Sequence, residues 1–317
     1  VSHMKRALII GIDHYDGSPL TGCINDANNI YDLMNRNEDG TPNFDCKKMI
    51  SSEGRINRAN LKENIEKLFK DDADTAFLYF SGHGTSNNLG GYIVTQDAKK
   101  YDEGVAMYDI LNYANASKAK ECVIMLDCCF SGHLGTLPQI NNSAVIKEGV
   151  SILTASRADQ VSMESGGSGL FTSLVCDALR GGASDLLGSV TTASVYSHVE
   201  PIFGAWDQRP LFKTHISKST ILRRCKPFIE PEIIRELGVI FKSPDYRLQL
   251  DKSYEPTEKP LGHPNEKIFA KLQACRAQGL IKLDGEDHMY YAAMNNKHCS
   301  LTAMGQFYWH LVKAKKI

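Results

Sequence analysis

The sequence predicts an α/β protein, a mostly parallel sheet sandwiched by helices, followed by a small α+β unit. Two observations carry this expectation. Short apolar, β-branched runs alternate with amphipathic stretches through the first two thirds of the chain, the order that lays helices on both faces of a parallel sheet. Around Phe212 that alternation stops, so a second, smaller domain is expected. At 317 residues and 42% hydrophobic content, the chain is long enough for one large or two unequal domains and apolar enough for a real core.

Taken in order, strands are expected at Ala7 to Ile12, Lys48 to Ser51, Ala76 to Phe80, Cys122 to Leu126 and Ser151 to Ala155. Helices are expected at Asn25 to Met34, Arg58 to Phe69, Met107 to Ala114, Leu170 to Leu179 and Thr191 to Phe203, where apolar residues recur at spacings of three and four. In such a sheet, ligands collect at the carboxyl ends of the strands. The first domain is assigned to residues 1–216 and the second to residues 217–317. Ser243 to Pro264, rich in Pro, Lys and Glu, reads as exposed connection. Beyond it come a helix (Glu266 to Gln278), a strand (Leu280 to Leu283), a turn at Asp284-Gly285, a strand (Met289 to Ala293) and a final helix (Thr302 to Lys313). This order resembles a winged helix-turn-helix module, and a small α+β cap of another kind would give the same pattern.

Composition narrows the class. No apolar run reaches the length of a membrane span, and the start lacks the zones of a secretory signal. Val1-Ser2-His3 ahead of Met4 looks like a tag remnant. Nine cysteines follow no metal-ligand or disulfide spacing, which fits free thiols in a reducing, cytoplasmic setting. Net charge is −1, yet residues 217–317 hold 17 Lys and Arg against 11 Asp and Glu, leaving 19 against 26 before them. An acidic front for basic substrates and a phosphate- or acid-binding module behind is one reading of that split. Plain solvated charge is the other.

Three segments carry chemistry. In Tyr79-Phe80-Ser81-Gly82-His83-Gly84-Thr85 an apolar strand runs into a histidine flanked by glycines, which let the backbone turn and a substrate approach. In Ile124-Met125-Leu126-Asp127-Cys128-Cys129-Phe130-Ser131-Gly132 a later strand delivers a thiol in the same way. A thiol with a pKa near 8.5 is mostly protonated at neutral pH, so it needs an adjacent imidazole to become a nucleophile. The third segment is Leu20-Thr21-Gly22-Cys23-Ile24-Asn25-Asp26-Ala27, whose Asp26 also reads as an ordinary helix-start residue.

The first two motifs resemble the caspase-like clan of cysteine peptidases, closest to the metacaspases and their bacterial relatives, with their S-G-H-G and D-x-C-x-S-G signatures. The resemblance covers roughly residues 5–215. It implies a cysteine endopeptidase with His83 as general base and Cys129 as nucleophile. Alternation along a strand allows one of the two adjacent thiols, not both, to face the imidazole. Phe130 stands where metacaspases commonly have His, and Cys128 where Ser is frequent. The third segment resembles the metacaspase stretch after the first strand, which implies an acidic pocket for Arg or Lys before the cut, lined by Cys23, Asp26, Ser81 and Asp127. Two carboxylates suit a desolvated guanidinium or ammonium. The implied oxyanion hole is the backbone N–H of Gly84 and Cys129. Trp206 to Leu211 resembles the substrate-flanking end of the fold and receives no chemistry.

The resemblance leaves other expectations open. A Cys-His dyad requires no cofactor. Metacaspases often depend on calcium, and Asp97, Asp102, Glu103 and Asp109 are oxygen ligands of the right kind, or simply solvated acids. Lys147, the only basic residue between Leu137 and Gly149, is a candidate autocleavage site. Polypeptides are the expected substrates. Bacterial relatives join such proteases to sensor modules in antiviral or cell-death systems, so residues 217–317 are expected to restrain the protease until a partner protein or an anionic nucleotide binds. Arg223, Arg224, Lys226, Lys313, Lys315 and Lys316 would meet phosphate, and Tyr290, Tyr291, Tyr308 and Trp309 would stack on a base or form core. The rival reading is a DNA-binding or scaffold regulator with a non-catalytic front domain. It is disfavoured by the acids diluting the basic charge.

Overall fold

The computed structural model describes residues 4–87, 90–128, 130–131, 145–155, 164–165, 168–204, 210–217, 219–258 and 261–317. In chain order its first part contains β1 (Lys5–Gly11), α1 (Cys23–Asn35), β2 (Asp45–Ile50), α2 (Arg58–Lys70) and β3 (Thr75–Ser81). There follow β4 (Gly84–Asn87), β5 (Gly90–Lys99), β6 (Asp102–Ala106), α3 (Met107–Ala116), β7 (Glu121–Asp127), β8 (Phe130–Ser131) and β9 (Val150–Thr154). The remainder comprises β10 (Glu164–Ser165), β11 (Ser168–Gly169), α4 (Leu170–Asp177), β12 (Ser189–Thr191), α5 (Thr192–Gly204), β13 (Leu211–His215) and β14 (Ile221–Arg224).

Six strands form the central sheet in the order β13-β9-β7-β3-β1-β2. All neighbours are parallel except β13, which runs against β9. β3 and β7 are buried at every residue, as strands covered on both faces must be. Their side chains alternate between two apolar layers. Leu78, Phe80, Ile124 and Leu126 pack with Leu61, Phe69 and Ile110 of α2 and α3. Phe77, Tyr79, Val123 and Met125 pack with Ile30, Phe171, Val175 and Val195 of α1, α4 and α5. The strands and helices expected in the first two thirds of the chain are all present, most of them longer by a residue or two. Hydrogen-bonded ladders and caps extend beyond the apolar runs, as where the Asn57 side chain caps α2 in a reciprocal pair with Asn60.

A second sheet, β6-β5-β4-β8, was not legible in the apolar pattern. Its segments alternate polar and apolar residues and are rich in glycine. Leu170 to Leu179 ends as a helix at Asp177 and continues as a π-helical turn over Ala178–Gly182, with Gly181 at φ 118°.

The chain divides into two compact units, Val1–Ser184 with Ser189–Lys226, and Asp185–Gly188 with Pro227–Ile317. The first therefore runs past the expected boundary at Ser217. β14 pairs antiparallel with β12, and the buried Arg223 guanidinium donates to the carbonyls of Leu33 at 2.9 Å, Arg36 at 3.1 Å and Leu179 at 2.8 Å. Arg223 thus caps the carboxyl end of α1, where carbonyls lack intrahelical partners, and is not a phosphate ligand.

The second unit contains α6 (Pro231–Ile240), β15 (Leu248–Gln249), α7 (Pro264–Ala277), β16 (Ile281–Leu283), α8 (Met289–Met294), β17 (His298–Leu301) and α9 (Ala303–Lys313). Its sheet is β15-β17-β16, antiparallel throughout. The expected strand Met289 to Ala293 is a helix instead. Met289, Ala292 and Ala293 point inward at the three- and four-residue spacing of an α-helix, and β16 pairs across it with β17. The expected hairpin of Leu280 to Leu283 with Met289 to Ala293 is therefore not formed. Ser243 to Pro264 is more than connection, because Leu250 and Tyr254 join the unit's core. Tyr308 is buried there too, and the Trp309 indole N–H is spent on the Phe241 carbonyl at 2.8 Å. Lys313 donates to the Gly238 carbonyl at 2.7 Å. Among the described residues no helix is long and apolar enough to cross a membrane.

Replacing Arg223 with Met should lower the free energy of unfolding by about 2–4 kcal/mol, because buried carbonyls lose charged donors. Urea unfolding followed by circular dichroism measures it.

Candidate active site

The loop from Ile12 to Gly22, between β1 and α1, organises the carboxyl edge of the sheet. Asp13, only 9% exposed, accepts the backbone N–H of Cys23 at 2.8 Å and of Ile24 at 3.2 Å. It thereby caps α1, whose preceding residue, Gly22, has no side chain to do so. The Asp13 carbonyl accepts from Tyr15 at 3.1 Å and from Leu20 at 2.8 Å, which closes the loop on itself.

That loop holds His83 at two points. The imidazole Nε2 lies 2.8 Å from the Ser18 carbonyl oxygen. A carbonyl can only accept, so Nε2 carries the proton and Nδ1 is left as the basic nitrogen. The His83 backbone N–H donates to the Tyr15 hydroxyl at 3.1 Å, that hydroxyl donates to the Val94 carbonyl at 3.2 Å, and the Tyr15 ring lies against the imidazole with centroids 4.6 Å apart. Gly82 is needed for this approach, since a Cβ there would come 2.5 Å from the Tyr15 hydroxyl. No orienting acid for His83 was legible in the sequence, and the orienting group is a backbone carbonyl that carries no residue signature.

β3 and β7 pair in register, Ser81 opposite Asp127, and pairing resumes with the same offset beyond His83, Gly84 opposite Phe130. Cys129 lies outside the described residues, as do residues 205–209 of the Trp206 to Leu211 segment. Gly84 is buried and sits in β4, paired on one side with Ile93 and on the other with Phe130. Cys128 is buried in the apolar layer beneath α2 and α3.

Cys23, Asp26, Ser81 and Asp127 are all buried and come together on the α1 and α4 side of the sheet. Asp26 accepts the Ser81 hydroxyl at 3.1 Å and the Gly169 N–H at 3.2 Å. Asp127 accepts the Thr172 hydroxyl at 2.7 Å, and Tyr79 donates its own hydroxyl to Thr172 at 2.5 Å. A Cβ on Gly169 would meet Asp127 Oδ2 at 2.9 Å and Asp26 Oδ2 at 3.4 Å, so both carboxylates converge on this one glycine. Burial, with Asp13, Asp26 and Asp127 nearby, pushes the Cys23 thiol well above its usual range and keeps it neutral. Asp13, Tyr15, Gly169 and Thr172 were not singled out from the sequence. Only Asp13 left a trace there, as the cap missing at Gly22.

Burial also raises the thiols of Cys122 and Cys225, and lifts Cys46, Cys176, Cys275 and Cys299 to about 12. Asp97 accepts from the Arg58 N–H at 2.9 Å and the Thr95 hydroxyl at 2.7 Å, Asp102 pairs with the Arg58 guanidinium, and Asp109 pairs with Lys62 at 2.7 Å. Those three acids serve α2, and among the described residues no three His, Cys, Asp or Glu side chains gather to hold a metal ion. The Lys147 backbone N–H bonds Asn115 at 2.9 Å and its ammonium bonds the Ser117 carbonyl at 2.7 Å.

A family model describing the caspase domain matches residues 4–220. Metacaspase-1 of Saccharomyces cerevisiae is 30% identical over 164 residues, which span 45% of this chain and 37% of that protein. Metacaspase-1 of Meyerozyma guilliermondii is 28% identical over 169 residues, spanning 46% and 40% respectively. The chain thus spans well under two thirds of the length of these relatives. In fold, the chain is similar to the crystal structure of protein GSU0716 from Geobacter sulfurreducens. The TM-score is 0.50 at 17% identity, over 71% of this chain and 98% of that one.

The contact between Gly82 and Tyr15 is testable by stability alone. Gly82→Ala should cost about 1–3 kcal/mol, and part of that loss should be recovered when Tyr15→Phe removes the clashing hydroxyl. A double-mutant cycle in urea reads the coupling.

Proposed function

The chain belongs to the caspase-domain family, and from that premise we propose that it is a cysteine endopeptidase that cuts polypeptides after Arg or Lys. The observation that carries this reading is the register at the carboxyl end of the sheet. Ser81 pairs with Asp127 and Gly84 with Phe130, so by the offset the two pairings share, Cys129 is the counterpart of His83. Burial raises seven of the nine thiols and makes them poor nucleophiles at neutral pH, which leaves Cys128 and Cys129, and Cys128 is buried in an apolar layer.

In the proposed mechanism the Cys129 thiol gives its proton to Nδ1 of His83, whose Nε2–H stays on the Ser18 carbonyl. The thiolate sulfur bonds to the scissile carbonyl carbon, and the oxyanion is held by the N–H groups of Gly84 and Cys129. The carbon–nitrogen bond then breaks as His83 returns the proton to the leaving amine. Water, deprotonated by the same imidazole, releases the acyl group. Asp26 and Asp127 supply the negative end of the specificity pocket. Their hydroxyl and amide partners fix them toward Gly169, and in a buried setting two carboxylates favour a cationic guest.

The second unit is proposed as the receiver of an activating signal, which would make the protein a regulated effector in bacterial defence or cell death. Its support is a core of its own and a pocket of about 350 Å³ lined by Gln273, Arg276, His288 and Tyr290 among others. A ring beside a guanidinium suits an anionic nucleotide.

Peptides ending in Arg or Lys should be hydrolysed by wild type and not by Cys129→Ala. Asp26→Asn should cut kcat/KM for them by about 10²–10³-fold, the loss expected for one partner of a buried ion pair. Cleavage after Asp instead would reverse the pocket assignment. The signal reading predicts that a nucleotide or partner protein raises this rate and that Arg276→Ala removes the nucleotide's effect. Unchanged rate and melting temperature with every nucleotide and partner would end it.

A further inference from the structure

A pocket of about 600 Å³ opens beside the catalytic edge, lined by His14, Tyr15, Asp16 and Pro19 of the β1–α1 loop, by Ser51 to Arg55 after β2, and by Gln96 of β5. We infer that this pocket is the subsite for the residues that follow the cut, the leaving segment of the polypeptide. The inference rests on the peptidase reading above and assigns a part of the substrate which that reading leaves without a site.

The argument starts from which face of the sheet each group occupies. The acidic pair belongs to the α1 and α4 side, where Ser81, Tyr79 and Thr172 hold it. Tyr15 belongs to the opposite layer, with Phe80, Ile56 and Ile93. His83 stands between them, its ring against Tyr15. A substrate whose basic side chain enters the acidic pair must carry its leaving nitrogen past the imidazole that protonates it. The chain beyond that nitrogen therefore runs toward Tyr15 and the pocket that Tyr15 lines.

The pocket is also built to hold peptide. Its walls are cross-linked before any ligand arrives. Ser51 Oγ accepts the N–H of Asp13 at 3.0 Å and lies 3.1 Å from His14 Nδ1, while Gln96 accepts the Ile56 N–H at 2.6 Å and donates to the His14 carbonyl at 2.7 Å. Such a wall loses little freedom on binding. Around it stand Asp16 and Glu53, whose carboxylates would accept peptide N–H groups, and Arg55, whose guanidinium donates to the Gln96 carbonyl at 3.3 Å and has further N–H groups for a substrate carbonyl; among the described residues none of the three forms an ion pair. Pro19 and Tyr15 flank Ser18, whose carbonyl orients His83, so an occupied pocket also steadies the base. Binding energy from the leaving segment should consequently appear in kcat and not only in KM.

The test uses peptides with one basic residue before the cut and the same first residue after it, carrying either one or four residues on the leaving side. The full chain is assayed as wild type, Arg55→Ala and Glu53→Ala. The wild type should show kcat/KM about tenfold or more higher for the longer peptide, with part of the gain in kcat. Each variant should reduce that ratio at least about threefold while its melting temperature stays at the wild-type value. Equal rates for the two lengths in the wild type would overturn the subsite, as would ratios untouched by both variants. So would a variant that instead erases the advantage of lengthening the peptide before the cut. Cleavage of neither length, with or without nucleotides, would sink the peptidase reading itself and this inference with it.

Discussion

The parallel pairing of β3 with β7 is the constraint on which the rest of this molecule depends. Both strands are buried along their whole length, and apolar layers on each face lock them against sliding. A slip of one residue would drive side chains fitted to one apolar layer into the other and carry Ser81 and Asp127 into the layer under α2 and α3, away from their hydrogen-bond partners. Register is therefore fixed by the core, well away from the chemistry. Its consequence at the carboxyl end is that Ser81 stands opposite Asp127 and Gly84 opposite Phe130, which brings the two short motifs beyond those residues to the same edge.

One loop then serves both halves of the site. The Asp13 carboxylate closes the first turn of α1 and so sets the height of Cys23 and Asp26, while Tyr15 and the Ser18 carbonyl hold His83. A disturbance of this loop therefore reaches His83 and the Cys23 and Asp26 end of α1 together. The hydroxyl chain from Tyr79 through Thr172 to Asp127 plays the matching part on the other side, and burial with nearby carboxylates keeps the Tyr79 phenol firmly protonated as its first donor.

Much of this was legible before any coordinates. Apolar runs alternating with helical spacing gave the central sheet, because burial on both faces leaves few residue types to choose from. Cys23, Asp26, Ser81 and Asp127 are singled out by family resemblance alone, and the fold buries the four side chains on one side of the sheet. What stayed hidden has identifiable causes. The Ser18 carbonyl is a backbone group without a sequence signal. Tyr15, Thr172 and Gly169 act through approach in space from segments far apart in the chain. Five residues, Met289 to Ala293, are too few to separate the strand period from the helical one, and Arg223 stands among the expected phosphate-binding residues because composition does not reveal which guanidinium caps a helix.

The second unit keeps a core of its own, centred on Phe241, Phe269 and Leu272. The central claim concerns the first unit, that Cys129 is a nucleophile activated by His83, and covalent labelling tests it most directly. The protein is treated with an arginyl chloromethyl ketone, and the adduct is located by mass spectrometry of the digested chain in wild type and in His83→Ala. The account predicts one adduct, on Cys129, formed rapidly in the wild type and slowly in the variant. Labelling on Cys128 or another cysteine, or equal rates with and without the imidazole, would contradict it.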